Sequence, residues 1–240
     1  INKILSENYN FEVMPLAGDQ GTAIGLYHAH RRNLKWPGNL FWGHREFYRN
    51  NFKGIDGIIC LDNDDDIFDT AVEAIKQNGF VNLVRGPMEF GPRSLCNTAT
   101  LAIPMMHVVN TINELNDRTS VMPMAPVVTE EKFNELFAVH QTSLSFDYMI
   151  VAAQYKKLDD NIVGAAHFYP MTAEFTGRPQ IARDPLIIRI LNEFGGILIN
   201  TSFNVHGVPI VYDSAQVIHS HVTQASIGEA EVITIVKTED

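Results

Sequence analysis

The segment GPMEFGPRSLCN, at positions 86–97, concentrates residue types that can bind an anion. Its two prolines fix the backbone angle φ, and the glycines at 86 and 91 permit turns that other residues resist. A rigid loop of this kind can present the planar guanidinium of Arg93 to a carboxylate or a phosphate. Glu89 either orients this arginine, accepts a hydrogen bond from a ligand amide, or forms a structural ion pair with Arg93.

A second polar segment, ILINTSFNVHG, follows an apolar run that is typical of a buried strand. It contains four hydrogen-bonding side chains, which are Asn200, Thr201, Ser202 and Asn204. Ligands of open sheets bind at the carboxyl ends of strands, and hydroxyl and amide groups suit phosphate oxygens and nucleotide edges. The alternative interpretation is an ordinary turn rich in Ser and Asn.

Two further arginines, Arg118 and Arg178, lie beside segments that contain proline. Taken singly, each is typical of a surface residue. Proline stiffens the backbone, so an arginine next to it is held in place at a small cost in entropy. Together with Arg93, these residues predict a pocket for a polyanionic ligand in a chain whose formal net charge is −10.

The stretch GDQGTAIG reads as a glycine-containing loop that enters the N-terminus of a helix. Glycine lets the backbone approach a phosphate closely, and the first turn of a helix offers unpaired N–H groups. An ordinary turn before a core helix is an equally good interpretation. Asp19 in this stretch is either a ligand for a hard metal ion or the N-cap of the helix.

Composition excludes several classes of protein. A chain of 240 residues with this negative charge repels nucleic acid unless a local basic patch opposes the field. The two cysteines, Cys60 and Cys96, have no CxxC spacing and favour a reducing compartment. No apolar run approaches the roughly 20 residues of a membrane-spanning helix, so we expect a cytoplasmic protein without a membrane partner. The first residue is not methionine, from which we expect a fragment or a processed product.

Hydrophobic periodicity predicts a mixed α+β or α/β fold. A helix is expected around 61–80, where acidic residues 64–66 suit its positive N-terminal end and Gly79 ends it. Strands are predicted at 80–86, 98–104, 125–129, 146–154, 196–204 and 231–238, and helices at 106–116, 130–137, 184–196 and 213–225. A domain boundary is expected at about 60–64.

Read in chain order, four segments resemble the C-terminal region of a carbamoyltransferase family. The family includes nodulation protein U, the cephem carbamoyltransferase and the tobramycin carbamoyltransferase. The segments are GPMEFGPRSLCNTATLA, MPMAPVV, TGRPQI and LINTSFNVHGVPIV, which together span about 86–211. The earlier stretch PLAGDQGTAIG resembles the last glycine-rich loop of the N-terminal domain of these enzymes, which is of the ASKHA type (the actin, sugar kinase and heat-shock ATPase superfamily).

The resemblance implies a fold and an activity. Residues 1–62 would be the C-terminal part of an ASKHA-type carbamoyl-transfer domain, and residues 63–240 a YrdC-like domain with a mixed sheet. The YrdC-like domain would combine carbamoyl phosphate with ATP to give carbamoyl adenylate and pyrophosphate, for transfer to the hydroxyl of an acceptor. ATP is therefore the expected cofactor, together with a divalent metal, Mg or Fe. The sequence does not identify the acceptor, and it leaves open whether the protein forms a homodimer.

The resemblance also implies roles for individual residues. Three arginines would bind phosphate or carbamoyl oxygens, the polar cluster would bind the nucleotide, and Asp19 would help to hold a metal. The cluster comprises Asn200, Thr201, Ser202, Asn204 and Gly207, with Glu89 as a further ligand-binding residue. Asn116 and Thr119 stand where the family pattern has a lysine and an acid. These two departures motivate the alternative of a nucleotide-binding or regulatory module without catalysis.

Overall fold

The computed structural model describes residues 2–31, 38–118, 124–139, 144–170 and 172–239; Thr119 lies outside them. These residues form seven α-helices, which are α1 (Asn2–Asn8), α2 (Asp19–Arg31), α3 (Asp64–Asn78), α4 (Met106–Leu115), α5 (Glu130–Leu136), α6 (Pro185–Glu193) and α7 (Ser214–Ile227). Within the described ranges, no helix combines the length and the hydropathy that crossing a membrane requires.

The same residues form eleven strands in two sheets. The strands are β1 (Ile58–Leu61), β2 (Phe80–Val84), β3 (Thr98–Ala102), β4 (Ala125–Val128), β5 (Phe137–Ala138), β6 (Ala153–Tyr155), β7 (His167–Tyr169), β8 (Glu174–Gly177), β9 (Gln180–Ile181), β10 (Ile197–Ser202) and β11 (Thr234–Lys237). The larger sheet has the order β1-β11-β2-β3-β10-β4-β9, and the smaller one β5-β6-β8-β7. Parallel and antiparallel pairs both occur in the larger sheet, which is therefore mixed as predicted.

Helices cover both faces of the larger sheet. Successive strand residues point to opposite faces, so Leu198 packs in a cluster with α3 and α6, while its neighbour Ile199 packs in a cluster with α4. Val84 and Val217 belong to a further cluster, in which α7 packs on the sheet. The central strands are consequently buried on both sides, which explains their nearly continuous apolar sequences.

Local signals in the sequence explain where the helices begin and end. The Asn63 side chain accepts a hydrogen bond from the backbone N–H of Asp66, which caps α3. Gly79 ends α3 with φ of 83°, in the left-handed region that glycine adopts without strain. Asp184 caps α6 and Pro185 occupies its first turn. These boundaries lie close to the predicted ones because they depend on neighbouring residues.

One predicted strand is wrong. Residues 146–154 were expected to form a continuous strand, but only Ala153–Tyr155 pairs in a sheet. Residues 147–149 form a turn instead, and Met149 has φ of 53°. The apolar side chains here are buried by the core cluster that contains Tyr148 and Met149, not by strand pairing. Burial and β-pairing give the same apolar pattern, so the pattern could not separate them.

The first strand bears on the predicted domain boundary at residue 62. β1 pairs in parallel with β11, at the edge of the larger sheet. Residues 58–61 therefore share the hydrogen-bond network of the sheet that the following residues build. The division of the chain into 1–62 and 63–240 stays a prediction.

Candidate functional site

The three predicted arginines line one cleft. The cleft lies beside the carboxyl end of β10 and has a volume of about 130 Å³. Its lining residues are Pro92, Arg93, Ser94, Arg118, Ala125, Met149, Arg178, Asn200, Thr201 and Ser202. These residues carry three positive charges and no carboxylate. The sequence separates Arg93 from Ser202 by more than a hundred positions, so only the fold brings them together.

Glu89 organises the loop that carries Arg93. It is 4% exposed, and its Oε1 accepts hydrogen bonds from the backbone N–H groups of Leu95 (2.6 Å), Asn97 (2.7 Å) and Thr98 (3.2 Å). Its Oε2 accepts from the Thr98 hydroxyl at 2.5 Å. The carboxylate thus replaces the strand partners that these backbone groups lack in the loop.

The structural ion pair considered between Glu89 and Arg93 does not form among the described residues. Both carboxylate oxygens of Glu89 accept bonds from the loop instead. The predicted contact of Glu89 with a ligand stays a prediction, but the observed role of Glu89 is to fix the loop. Gly86 contributes to this fixed geometry, because a side chain there would collide with the carbonyl oxygen of Arg45.

Arg118 follows α4 and forms hydrogen bonds with the end of β10. A turn after α4 places it: Asp117 has φ of 51°, and the Arg118 backbone N–H donates to the Asn113 carbonyl at 2.8 Å. Its guanidinium donates to Thr201 Oγ1 at 2.8 Å, Ser202 Oγ at 2.9 Å and Asn204 Oδ1 at 3.3 Å. These acceptors are neutral, and burial lowers the pKa of Arg118. The positive charge is therefore held in place without being neutralised.

Within the described residues, Arg93 and Arg178 have no hydrogen-bond or ion-pair partner. Arg178 is partly buried, and its Nε is a buried donor without an acceptor. Burial lowers the pKa of Arg178, and the nearby charge of Arg93 lowers it further. Two like charges that line one cleft with unused donors are unfavourable without an anion. The arrangement is suited to bind one.

The side-chain amides of Asn200 and Gln180 form a buried hydrogen bond beside the cleft. Asn200 is 2% exposed; its Nδ2 donates to the Ser94 carbonyl at 2.9 Å and to Gln180 Oε1 at 2.5 Å. Asn200 lines the cleft, but its amide is engaged within the protein. Ser94 and Gln180 were not predicted. Ser94 adjoins Arg93 and Gln180 follows Arg178 by two positions, so both could have been noticed, whereas the bond between Gln180 and Asn200 arises only from the fold.

Four predicted positions do not line the cleft, namely Glu89, Asp19, Asn204 and Gly207. Asp19 is exposed at the first residue of α2. The described residues contain no group of three His, Cys, Asp or Glu side chains that could hold a metal ion. The metal at Asp19 stays a prediction, and we assign no step to it. Asn204 and Gly207 lie in the loop after β10, where Asn204 accepts a hydrogen bond from Arg118 and Gly207 has φ of 85°. Asn116, at which the sequence departs from the family pattern, is fully buried.

Cys96 is buried next to Glu89, and we expect it to be unreactive. Its side chain is 0% exposed, and burial, reinforced by the charge of Glu89, raises the pKa of its thiol. Because the thiolate is the reactive form, an aromatic disulfide reagent at pH 8 should modify Cys60, which is half-buried, well before Cys96. The second equivalent should react only in guanidinium chloride. Two equivalents in the native protein would contradict the described packing, and Cys60→Ser provides the control.

Comparison with known proteins agrees with this architecture. Residues 72–233 match the sequence profile of the family described as Carbamoyltransferase C-terminus. Nodulation protein NolO of Bradyrhizobium diazoefficiens is 26% identical over 230 residues, which are 88% of this chain and 41% of that protein. The 3'-hydroxymethylcephem-O-carbamoyltransferase of Amycolatopsis lactamdurans is 31% identical over 133 residues, 52% of this chain and 24% of that protein.

A protein of Methanocaldococcus jannaschii without an assigned function is 30% identical over 242 residues. The match covers 92% of this chain and 45% of that protein. The chain thus spans less than half of the length of the curated relatives that it matches. Among solved structures, full-length HypF in its phosphate- and nucleotide-bound form aligns with a TM-score of 0.50 at 16% identity, over 72% of this chain and 25% of HypF. P. abyssi Sua5 complexed with L-threonine gives 0.50 at 12% identity, over 76% of this chain and 50% of Sua5.

The mixed sheet with helices on both faces is a YrdC-like fold, with a cationic cleft beside one strand end. The chain belongs to the Carbamoyltransferase C-terminus family. The family and the fold predicted from the sequence are both confirmed.

Proposed function

We propose that this chain is the adenylate-forming part of an ATP-dependent carbamoyltransferase. The observation that carries the proposal is the cleft with three arginines and no carboxylate, in which Arg93 and Arg178 keep their donors unused. A substrate pair of ATP and carbamoyl phosphate brings negative charges that such a cleft would neutralise. Family membership supports carbamoyl transfer as the overall reaction.

The proposed chemistry requires a cleft that stabilises phosphoryl oxygens. Water cleaves carbamoyl phosphate to carbamate and inorganic phosphate. A carbamate oxygen then attacks the α-phosphorus of ATP, and the bond to pyrophosphate breaks, which leaves carbamoyl adenylate. Negative charge grows on the pyrophosphate and on the oxygens of the α-phosphorus, where donors held in place are most effective.

The described residues have distinct parts in this proposal. Arg118 is held rigidly by neutral acceptors and would bind phosphate oxygens from a fixed position. Arg93 and Arg178 would supply positive charge next to the phosphoryl oxygens on which negative charge grows. Ser202 both accepts a hydrogen bond from Arg118 and faces the cleft, so its hydroxyl hydrogen would serve a nucleotide oxygen.

The alternative is a nucleotide-binding or regulatory module without catalysis. It is favoured by one observation: Asn116 supplies no charge and is 0% exposed, with its side chain turned into the protein. This alternative predicts that ATP binds without turnover of carbamoyl phosphate.

The test is exchange of labelled pyrophosphate into ATP, which requires a reversible adenylate step. Exchange should depend on carbamoyl phosphate, and Ser202→Ala should lower it about a hundredfold, because it removes one donor to a developing charge. Ser226→Ala, at an exposed position of α7, is the control and should exchange at the wild-type rate. ATP binding by calorimetry without any exchange would refute catalysis and support the alternative.

A further inference from the structure

Behind the cleft, six buried polar side chains form one continuous hydrogen-bonded chain. They come from the C-cap of α4, from α7 and from strands β2, β3 and β11, and each is at most 2% exposed: Asn116, Gln224, Asn82, Thr100, Thr234 and His221. We refer to these six residues as the buried relay. Polar groups in such numbers are costly inside a core unless each is satisfied, so their arrangement calls for a physical reason.

The hydrogen bonds of the relay diverge from Asn82, which donates towards both ends. Gln224 Nε2 donates to Asn116 Oδ1 at 2.7 Å, and Gln224 Oε1 accepts from Asn82 Nδ2 at 2.7 Å. Asn82 Nδ2 also donates to Thr234 Oγ1 at 3.1 Å. Asn82 Oδ1 accepts from the Thr100 hydroxyl at 2.6 Å. Rotating one amide by half a turn would place donor against donor, so each orientation fixes the next one.

The far end of the relay contacts the segment that precedes β1. His221 Nε2 lies 2.8 Å from the carbonyl oxygen of Asp56, which can only accept, so Nε2 carries the proton. His221 Nδ1 is then the acceptor for the Thr234 hydroxyl at 2.9 Å. Gly57 lets the chain pass close to this ring, because a side chain there would meet the ring carbon Cε1 of His221.

The near end of the relay joins the turn that carries Arg118 to the loop after β10. The Asn116 carbonyl accepts a hydrogen bond from the backbone N–H of His206 at 2.8 Å. Arg118 lies two residues after Asn116, and Asn204 lies two residues before His206. Arg118 and Asn204 are themselves hydrogen-bonded across the gap. The position of Asn116 therefore sets the separation between the turn that carries Arg118 and the loop after β10.

Stability alone does not account for the relay. Asn116 Nδ2 is buried and has no hydrogen-bond partner, which costs about 1–3 kcal/mol. An apolar side chain would avoid that cost, and a core of this kind needs no amide to hold its helices. What an apolar contact cannot supply is direction, since only a hydrogen bond fixes both the distance and the orientation of Asn116.

We propose that Gln224 is a positioning residue for Arg118 and acts through Asn116. The buried relay then keeps the phosphate-binding residues of the cleft at fixed distances and orientations. The inference rests on the proposed function only in taking the cleft to bind phosphate groups. Gln224 lies on α7 and does not line the cleft, so its effect must pass through the backbone turn at Asn116.

The test measures affinity for inorganic pyrophosphate by calorimetry. Gln224→Met keeps the size of the side chain but removes both amide bonds, and it should weaken binding about tenfold, equivalent to roughly 1.4 kcal/mol. Gln216→Met, the same change two turns earlier on α7 and outside the relay, should bind as wild type does. Val217→Ala controls for stability, because it removes buried apolar volume without touching the relay.

A double-variant cycle separates positioning from general destabilisation. In an Arg118→Ala background, Gln224→Met should lower affinity by less than about twofold, because the residue that it positions is gone. Equal losses in both backgrounds, or Gln224→Met binding as tightly as wild type, would overturn the inference. Thr234→Val, which interrupts the relay further away, should weaken binding about threefold and serves if Gln224→Met does not fold. Failure of the wild type to bind pyrophosphate would instead overturn the proposed function, and with it this inference.

Discussion

Replacing Arg178 with alanine is expected to lower carbamoyl-phosphate-dependent pyrophosphate exchange by roughly 10²–10³-fold, because it removes a preorganised donor from the developing charge. Arg178 lines the cleft and has a buried Nε without an acceptor, so its donors are available to a ligand from the start. The free energy of unfolding should stay within about 1 kcal/mol of the wild-type value, since no protein contact of the guanidinium is lost.

The combination of a large loss of activity with a small change in stability distinguishes a binding residue from a structural one. Exchange kinetics and urea unfolding on the same preparations measure both. Arg189→Ala removes an equal charge from an exposed position of α6, where the guanidinium pairs with Asp65, and should leave exchange unchanged. Exchange by Arg178→Ala at the wild-type rate would contradict the assignment of the cleft.

Ligand-dependent stability provides a second measure of the same residue. Burial lowers the pKa of Arg178, and repulsion from the like charge of Arg93 lowers it further. An anion bound between them relieves that repulsion and stabilises the folded state by mass action. Pyrophosphate should therefore raise the unfolding temperature of the wild type clearly and that of Arg178→Ala much less.

Replacing Glu89 with glutamine is expected to destabilise the protein by about 3 kcal/mol. The carboxylate accepts from three backbone N–H groups and one hydroxyl, and an amide in its place turns one acceptor into a donor that faces other donors. The side chain is 4% exposed, so water cannot take over the lost bonds. Urea unfolding measures this loss.

The same substitution should also weaken pyrophosphate binding, because the loop it fixes carries Arg93 and Ser94 into the cleft. Glu114→Gln makes the same chemical change at an exposed position of α4 and should leave stability and affinity within about 0.5 kcal/mol of wild type. If Glu89→Gln were as stable as wild type, the hydrogen bonds of the loop could not have the importance assigned to them here.

Much of the fold follows from local sequence. Asn63 and Gly79 bound α3, and Asp184 with Pro185 starts α6, because capping depends on residues within one turn of the helix end. The strands at 80–84 and 197–202 contain runs of apolar residues on both faces, which predicts burial on both faces. The prediction of a strand at 146–154 was wrong because buried turns and buried strands have the same apolar composition. Only tertiary contacts distinguish the two.

The site was also partly readable from the sequence. Glycine and proline made the loop at 86–97 stand out, and the density of hydroxyl and amide groups marked the end of β10. The type of a residue indicates which groups it can bind, so Arg93, Arg118, Arg178 and Ser202 could be predicted from the sequence. All four line one cleft in the structure.

By itself, then, the sequence determined most of the elements, the fold class and the kinds of group that can bind an anion. Only the tertiary structure decided which groups face the cleft and which are used inside the protein. Glu89 and Asn200 look like ligand-binding residues in the sequence, yet their hydrogen bonds go to the loop and to Gln180. Gln224 has no local signal at all, because its partners Asn82 and Asn116 lie more than a hundred residues away. Hydrogen bonds form between neighbours in space, and chain folding alone creates those neighbours.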